Sequence, residues 1–574
     1  MEKEKKKLAI IGGGPAGLFL YKRLVAANDT DWEIHIYEKG SQLGAGMPYS
    51  HEGANDEHVT NVSDNELPGL VTTMEEWIKT APENLQRRFG IHAGNFNEYK
   101  VVPRLLFGSY LSAQFQLLQE RAAAQGLITN VFLQCNVTDI APIPNSEQLA
   151  VLTANNRRIY DAVIVSTGHN WPIKHEGKIP DYFDSPYPPA KLQQKLAHPV
   201  AIRGASLTAF DALRTLSRKA GAYRRRDDGM LSYTLNPECA GFKIVMHSLY
   251  GLLPAIRIHF DDASLSRDAG ITEEELQQNK EANEGFVSLD YLFERNFKAP
   301  FREKDPGFYD RIRDMRIEEF VDAMMDLRER LDPFVLFKAE YAEAEKSIRR
   351  QQPVHWKEML SILSFTMNYP AKHLSAEDML RLKKVLMPLI SIVIAFVPQS
   401  SAQELIALHE AGVLDLVAVD RDSEVIPQEK GGVIYRYTNE SGAQQEVYYP
   451  VFVDCIGQPQ LSYEQVPFPA LRNTGAISPA RLRFRDVEKA KQIKEEGTMK
   501  IEEDSSGNYY LPVPGITIND HFQVLDQYGA YNPRLYMMAV PYIGGLNPDY
   551  SGLDFCEAAS ERIVPTLLKT EVIA

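Results

Sequence analysis

Cysteine is scarce in this sequence. Cys135, Cys239, Cys455 and Cys556 are the only four in 574 residues, and no two stand at CxxC or CxxxxC spacing. That spacing excludes a locally encoded zinc site or redox dithiol and suits a reduced, cytoplasmic setting. Positive charge is also lacking: the formal net charge is -15, so no global field draws the chain to nucleic acid or anionic lipid. The short basic run Arg224-Arg225-Arg226 is followed at once by two aspartates and reads as a solvated loop. Long apolar runs are missing too. The longest, VLMPLISIVIAFVP (385–398), has 14 residues including Pro388 and Pro398, too short for a bilayer span, and reads as a buried strand or core-lining segment. At the N-terminus, basic MEKEKKK precedes four apolar residues, but glycines interrupt the run and no cleavage-type site follows, so a signal peptide is not expected. A soluble chain with no membrane and no nucleic-acid partner is the expectation. Its length argues for two or three domains.

What is present is glycine in a particular register. In LAIIGGGPAGLFLYKRL (8–24), four apolar residues run into Gly12, Gly14 and Gly17 at G-x-G-x-x-G spacing, and an amphipathic helix follows to Ala27. A second strand, WEIHIYEK (32–39), ends in Glu38, 21 residues past Gly17. This is the dinucleotide fingerprint with its terminal acid. Gly12 permits the tight turn, Gly14 lets a pyrophosphate approach the backbone, and Gly17 lets helix pack on strand. The helix N-terminus, which starts at Pro15-Ala16, offers free N–H groups from Ala16 onward and a positive dipole end. Glu38, followed by Lys39, can accept both ribose hydroxyls.

A second unit of the same kind begins near Pro199. HPVAIRGASLTAFDALRTLSRKAG (198–221) reads as strand, turn and helix, with Gly204, Ser206 and Ala209 in the fingerprint positions, then Leu207 and Thr208 at the helix start, and GFKIVMHS (241–248) as the next strand. Each unit is echoed by a later apolar strand closing on glycine: YDAVIVSTGHNWP, with Thr167 and Gly168, and YPVFVDCIGQPQ, with Gly457. The fold expected is α/β, two Rossmann-like dinucleotide-binding domains with the second inserted in the first, plus a helical insertion. The boundaries read from the pattern are 1–197 with 445–574 for the first, 198–270 with 385–444 for the second, and 271–384 for the charged, helix-periodic insertion.

GAGMPYS (44–50), EHVTNVSDNELPG (57–69), VPRLLFGSYL (102–111), the STGH strand, and GASLTAFDAL with SLYGLLP (248–254) resemble the bacterial FAD-NAD(P)-binding proteins of the two-dinucleotide-domain flavoprotein superfamily, related to the N-hydroxylating flavin monooxygenases. The resemblance implies FAD on the first unit and NADPH or NADH on the second. It implies that Gly46, Asn61 and Val62 lie along the flavin, that Arg104 faces the phosphates or the ring region, and that Val137 frames the adenine. It further implies that RLYMMAVPYIGGLNPDYSGLDF (534–555) presents Asp549, Ser551 and Gly552, with Tyr550, to the flavin edge. The family usually has an arginine after the serine of SLYGLLP, where this chain has Leu249. That departure leaves the choice between NADPH and NADH open, with Arg224–Arg226 or Arg257 as substitutes for the phosphate grip.

The activity implied is an FAD-dependent, NAD(P)H-using monooxygenase that hydroxylates the amine of a small amino compound with molecular oxygen. The alternatives are a flavin reductase or dehydrogenase with a non-oxygen acceptor, and a non-catalytic flavin-binding sensor. Related flavoproteins often form homo-oligomers. Catalytic candidates are Asn61, beside the flavin, and His169, after the TG turn, which could equally be a structural residue at a strand end. His58 is a further candidate beside the flavin. His247, Arg257 and His259 read as surface residues flanking the second unit. His355-Trp356 could line a substrate pocket or pack a helix, and Arg295, Arg302 and Arg313 could meet a carboxylate or simply be solvated. No metal cluster, Ser-His-Asp triad or P-loop is spelled by the sequence.

Overall fold

In a computed structural model, residues 5–260 and 270–569 are described. The first four residues of the basic N-terminal run, and 261–269 at the end of the second unit's first segment, lie outside them. The first strand (Lys6–Ile11) runs parallel to Trp32–Tyr37 on one side and to Ala162–Val165 on the other. The full sheet has six strands, in the order 523–525, 531–537, 162–165, 6–11, 32–37 and 128–132. All its pairings are parallel except the edge pair 523–525/531–537. Leu8, Ala9, Ile10, Val163, Ile164 and Val165 have essentially no exposed surface. A parallel sheet covered by helices on both faces demands such unbroken apolar runs, each large aliphatic side chain contributing about 1.5–3 kcal/mol. The helix after the turn spans Pro15–Ala27, three residues earlier than the apolar period suggests, because Pro15 occupies its first turn, where a missing N–H costs nothing.

The second sheet is parallel throughout, in the order 182–183, 451–454, 199–203, 243–249 and 414–419. Two of these strands differ from the boundaries drawn from sequence. Tyr182–Phe183 and Val451–Asp454 hydrogen-bond into the second sheet although the pattern assigned 1–197 and 445–574 to the first unit. Hydrophobic periodicity identifies a strand but not its neighbour. Gly204 adopts φ +106, and a Cβ there would sit 2.8 Å from the Cys455 carbonyl oxygen, so glycine is required where the turn meets the second echo strand.

Between the strands ending at Leu249 and beginning at Leu414 lies a helical layer that includes Glu273–Ala282, Ile317–Arg330, Pro333–Arg350 and His355–Ala371. The apolar run 385–398 is a correction to the strand reading: Met387–Val393 is a buried helix with Pro388 in its first turn. A dense Leu/Ile/Val composition does not separate a buried strand from a buried helix, and here the helical neighbours decide. No described helix is long and apolar enough to cross a membrane.

Candidate functional site

The glycine turn is built so that a ligand can reach backbone. Gly12 has φ +114 and its hypothetical Cβ would lie 2.6 Å from the Ser166 carbonyl oxygen; at Gly17 the corresponding contact is 2.3 Å to the Gly12 carbonyl oxygen. Both glycines are therefore dictated by packing. Gly14 differs, since its nearest neighbour would be Gly46 Cα at 3.2 Å and it lines open space. No side chain caps the helix that starts at Pro15, so its first N–H groups face that space unsatisfied by protein. Glu38 follows the second strand and is buried; its two carboxylate oxygens accept from Gly13 N at 2.8 Å and Gly40 N at 2.6 Å. A carboxylate has about four lone-pair sites, so each oxygen can still accept a hydroxyl.

A continuous cavity of about 1180 Å³ opens from this turn. It exceeds the roughly 300–1,000 Å³ of ordinary small-molecule sites, enough for a dinucleotide with a second molecule beside it. Gly12, Gly14, Pro15, Ala16, Glu38, Lys39, Gly46, Asn61, Val62, Arg104, Val137, Thr167, Gly168, His169, Leu207, Thr208, Asp549, Ser551 and Gly552 all line it. Gly17 lies behind the lining, and Gly204 and Ser206 lie outside it. One observation bears directly on occupancy: among the described residues the buried Thr167 hydroxyl, next to Gly12 at the cradle, has no hydrogen-bond partner. Buried polar atoms are rarely left so, and a bound group is the usual reason. The residues present therefore fit FAD: the Gly12–Gly17 turn and the helix start would hold the pyrophosphate and Glu38 a ribose.

The two units meet at the cavity. After the first echo strand, Asn170 exchanges hydrogen bonds with Gln458 and Trp171 donates to the Gly457 carbonyl, so both glycine-closed strand ends join. Arg104, which lines the cavity, also braces this junction. Its Nε donates to the Val59 carbonyl and its Nη1 to Asp211 Oδ2 at 2.6 Å, where the Tyr187 hydroxyl also donates. Burial works against the Asp211 charge, but Arg104, His58 and Tyr187 outweigh it and hold the carboxyl below its ordinary range. His58 is fully buried, with Nδ1 toward Asn55 N and Nε2 toward the Asp211 carbonyl, and does not line the cavity. His169 stands exposed beside Trp171, with 5.3 Å between ring centroids.

Other candidates move. His247, Arg257 and His259, which the sequence suggested were surface residues, are all buried: His247 lies within the second sheet's strand Lys243–Leu249, and His259 N donates to Ser347 Oγ of the insertion. His247 stacks on Tyr435 at 3.8 Å. Arg257 reaches the cavity wall, where its guanidinium binds the Asn61 carbonyl, Ser63 Oγ and the Glu66 carboxylate. It is thus no free phosphate grip. Arg295, Arg302 and Arg313 form ion pairs with Glu275, Glu294 and Asp310, respectively, and none lines the cavity. Trp356 packs on the core and His355 sits near Glu358.

Sequence reasoning missed the far wall. In the insertion helix His355–Ala371, Glu358, Ser361, Ile362 and Phe365 stand at i, i+3, i+4 and i+7 and line the cavity with Ser364, Phe260, Ile394 and Phe396. The stripe is legible in KEMLSILSF, but it looks like any core-facing helix until the cavity beside it is known. Asp549 faces the same end; burial pushes its carboxyl up to about 7.

Residues 9–170 match the FAD-NAD(P)-binding family, and residues 272–394 match the YdhS-like middle domain. The uncharacterized protein YdhS of Escherichia coli (strain K12) is 27% identical over 477 residues, covering 81% of this chain and 86% of its own length. Among solved structures, L-lysine 6-monooxygenase from Pseudomonas syringae is similar at 13% identity and TM-score 0.48, covering 98% of this chain and 99% of its own. Reduced ornithine hydroxylase from Pseudomonas aeruginosa gives 12% and 0.46 over 98% of both chains. The bacillithiol disulfide reductase of Staphylococcus aureus gives 10% and 0.40 over 99% and 100%. The match over 9–170 covers the first unit, with its uncapped helix and buried Glu38, and the whole is an α/β fold with two parallel-sheet units and a helical insertion.

Proposed function

We propose that this flavin-dependent oxidoreductase draws hydride from NADPH or NADH and hydroxylates the amine of a small amino compound with molecular oxygen. The observation that supports this most is the size and lining of the cavity. The same cavity of about 1180 Å³ that holds Gly12, Glu38, Asn61 and Val62 is also lined by Glu358, Ser361, Ile362 and Phe365, which leaves room for an acceptor molecule beside a dinucleotide. Flavin, when bound, supplies hydride acceptance and oxygen activation.

The chain's own residues do the rest. The first-turn amides and Glu38 fix the dinucleotide. Asn61, whose backbone carbonyl is anchored by Arg257, lines the cavity. Phe260, Ile362, Phe365 and Phe396 line the acceptor compartment with apolar surface and exclude water, which protects the reactive site from side reactions. Leu207 and Thr208, at the start of the second crossover helix, bring the nicotinamide-carrying unit to the same space. The four cysteines are all free. No two of them stand at CxxC or CxxxxC spacing in the sequence.

The test is consumption of NADPH and NADH by the purified flavin-loaded protein across a panel of alkylamines and amino acids, with hydroxylamine and hydrogen peroxide both measured. Amine-dependent hydroxylamine with peroxide well below stoichiometry supports the reading. Nucleotide oxidation that proceeds anaerobically with an added electron acceptor, and never yields hydroxylamine, would replace it with a reductase.

A further inference from the structure

At the acceptor end of the cavity, the segment leading into the closing helix (Gly552–Lys569) meets the insertion helix. Asp549 Oδ2 accepts from Ser364 Oγ, and Asp549 N donates to Asn368 Oδ1 at 2.8 Å. Asn368 is held in turn: its Nδ2 donates to the Ser364 carbonyl at 2.9 Å, and its own carbonyl accepts from Asn547 Nδ2 at 2.6 Å. The carboxylate is therefore locked in place by the insertion, and it lines the cavity. Among the described residues Ser364 is its only side-chain hydrogen-bond partner. Titratable groups that line the same cavity include Glu358 on the insertion helix, Glu66, Arg257, Tyr49, and Asp554 and Cys556 on the closing helix. Arg257 is spent on Glu66. No charged neighbour offsets the burial of Asp549, which pushes its carboxyl up to about 7.

A rigidly held, desolvated carboxylate without a counter-ion beside an acceptor pocket is matched by a cationic ligand. We propose that Asp549 binds the ammonium group of the substrate and accepts its proton, leaving a neutral amine as the nucleophile. This rests on the amine-hydroxylating reading above. An N–H bond of R–NH3+ breaks, its electron pair stays on nitrogen as the lone pair, and the proton forms an O–H bond on Asp549. No oxidant is involved in this step. The ligand class is a primary alkylamine whose apolar chain lies along Ile362, Phe365 and Phe396.

The experiment is calorimetric titration of n-pentylamine into the full-length, FAD-loaded protein from pH 6 to pH 8, in buffers of different ionisation enthalpy. With the carboxyl at about 7, affinity should rise about tenfold across that range, with close to one proton released per amine at pH 6 and almost none at pH 8. Asp549→Asn should abolish the pH dependence. Ser364→Ala keeps the carboxyl but removes the donor favouring its charged form, so the midpoint should move upward, which keeps the test open if the first variant fails to fold. In turnover, hydroxylamine formation by Asp549→Asn should climb with pH as free amine becomes available, whereas wild type levels off above about 7. An unchanged pH dependence of binding in Asp549→Asn, or an unmoved midpoint in Ser364→Ala, overturns the assignment. Normal amine linkage without hydroxylamine product would instead overturn the function and leave Asp549 as the amine's anion.

Discussion

Gly14 separates the role of the glycine turn in binding from its role in folding. Gly12 and Gly17 cannot carry a side chain without overlapping backbone, at 2.6 and 2.3 Å, respectively. Substituting them destabilises the fold and says nothing about a ligand. At Gly14 a Cβ meets the Gly46 backbone, Cα at 3.2 Å and N at 3.7 Å, and φ is -74, so a valine requires the Gly46 loop to give by a few tenths of an ångström, at a folding cost of about 1–2 kcal/mol. Its methyl groups occupy the space where a pyrophosphate must sit against the helix N-terminus. Losing two charge-assisted phosphate contacts, at about 1.5–3 kcal/mol each, weakens FAD binding by a factor of roughly 10² to 10⁴. The assay pairs a fluorescence titration of FAD into apo-protein with a thermal melt. Gly14→Val is expected to melt within a few degrees of apo wild type and to lose flavin, whereas Gly17→Ala should lose about 1–3 kcal/mol of stability. A folded Gly14→Val that binds FAD as tightly as wild type refutes the cradle.

The junction between the units offers another handle. Arg104→Met leaves the Asp211 carboxylate buried without its cation and should cost about 3–5 kcal/mol at neutral pH. Because the native Asp211 carboxyl is held below its ordinary range, its contribution is fully present above that range and disappears as pH falls through the lowered value. In Arg104→Met the sign reverses: the variant is least stable above neutrality and recovers part of the deficit on acidification toward pH 5, seen in melts across pH. Leu249→Arg tests the nucleotide. Leu249 is half-exposed at the end of its strand, the position where a 2′-phosphate clamp belongs, so the wild type should use NADPH and NADH with similar kcat/KM and the variant should favour NADPH about tenfold or more.

Much of this arrangement is local in sequence and therefore legible there. The run from Leu8 to Glu38 spells strand, turn, helix, strand and acid within about 30 residues, so its pattern is readable although its strand and Gly12 also pack against residues 162–166 far along the chain. Gly46, Asn61, Val137 and Asp549 are brought to the same cavity by distant segments, and their identification depended on whole motifs rather than on any physical signal in the residues themselves. The misread pieces share a cause. Tyr182–Phe183 and Val451–Asp454 take partners in the second sheet, the helix Met387–Val393 is fixed by its neighbours, and Arg257 is buried by what folds over it. Each depends on tertiary context that period and composition do not encode. The far wall, Glu358 to Phe365, is the clearest instance, since an apolar stripe with one acid has the same pattern whether it faces a core or a ligand.

The most direct measurement is the flavin content of the purified full-length chain, by absorbance of the native protein and mass identification of what heat releases. The account predicts a yellow protein yielding close to one FAD per chain, or a colourless one that takes up one FAD with a shifted visible spectrum. A chain that stays colourless in excess FAD, and leaves the flavin spectrum unperturbed, contradicts it.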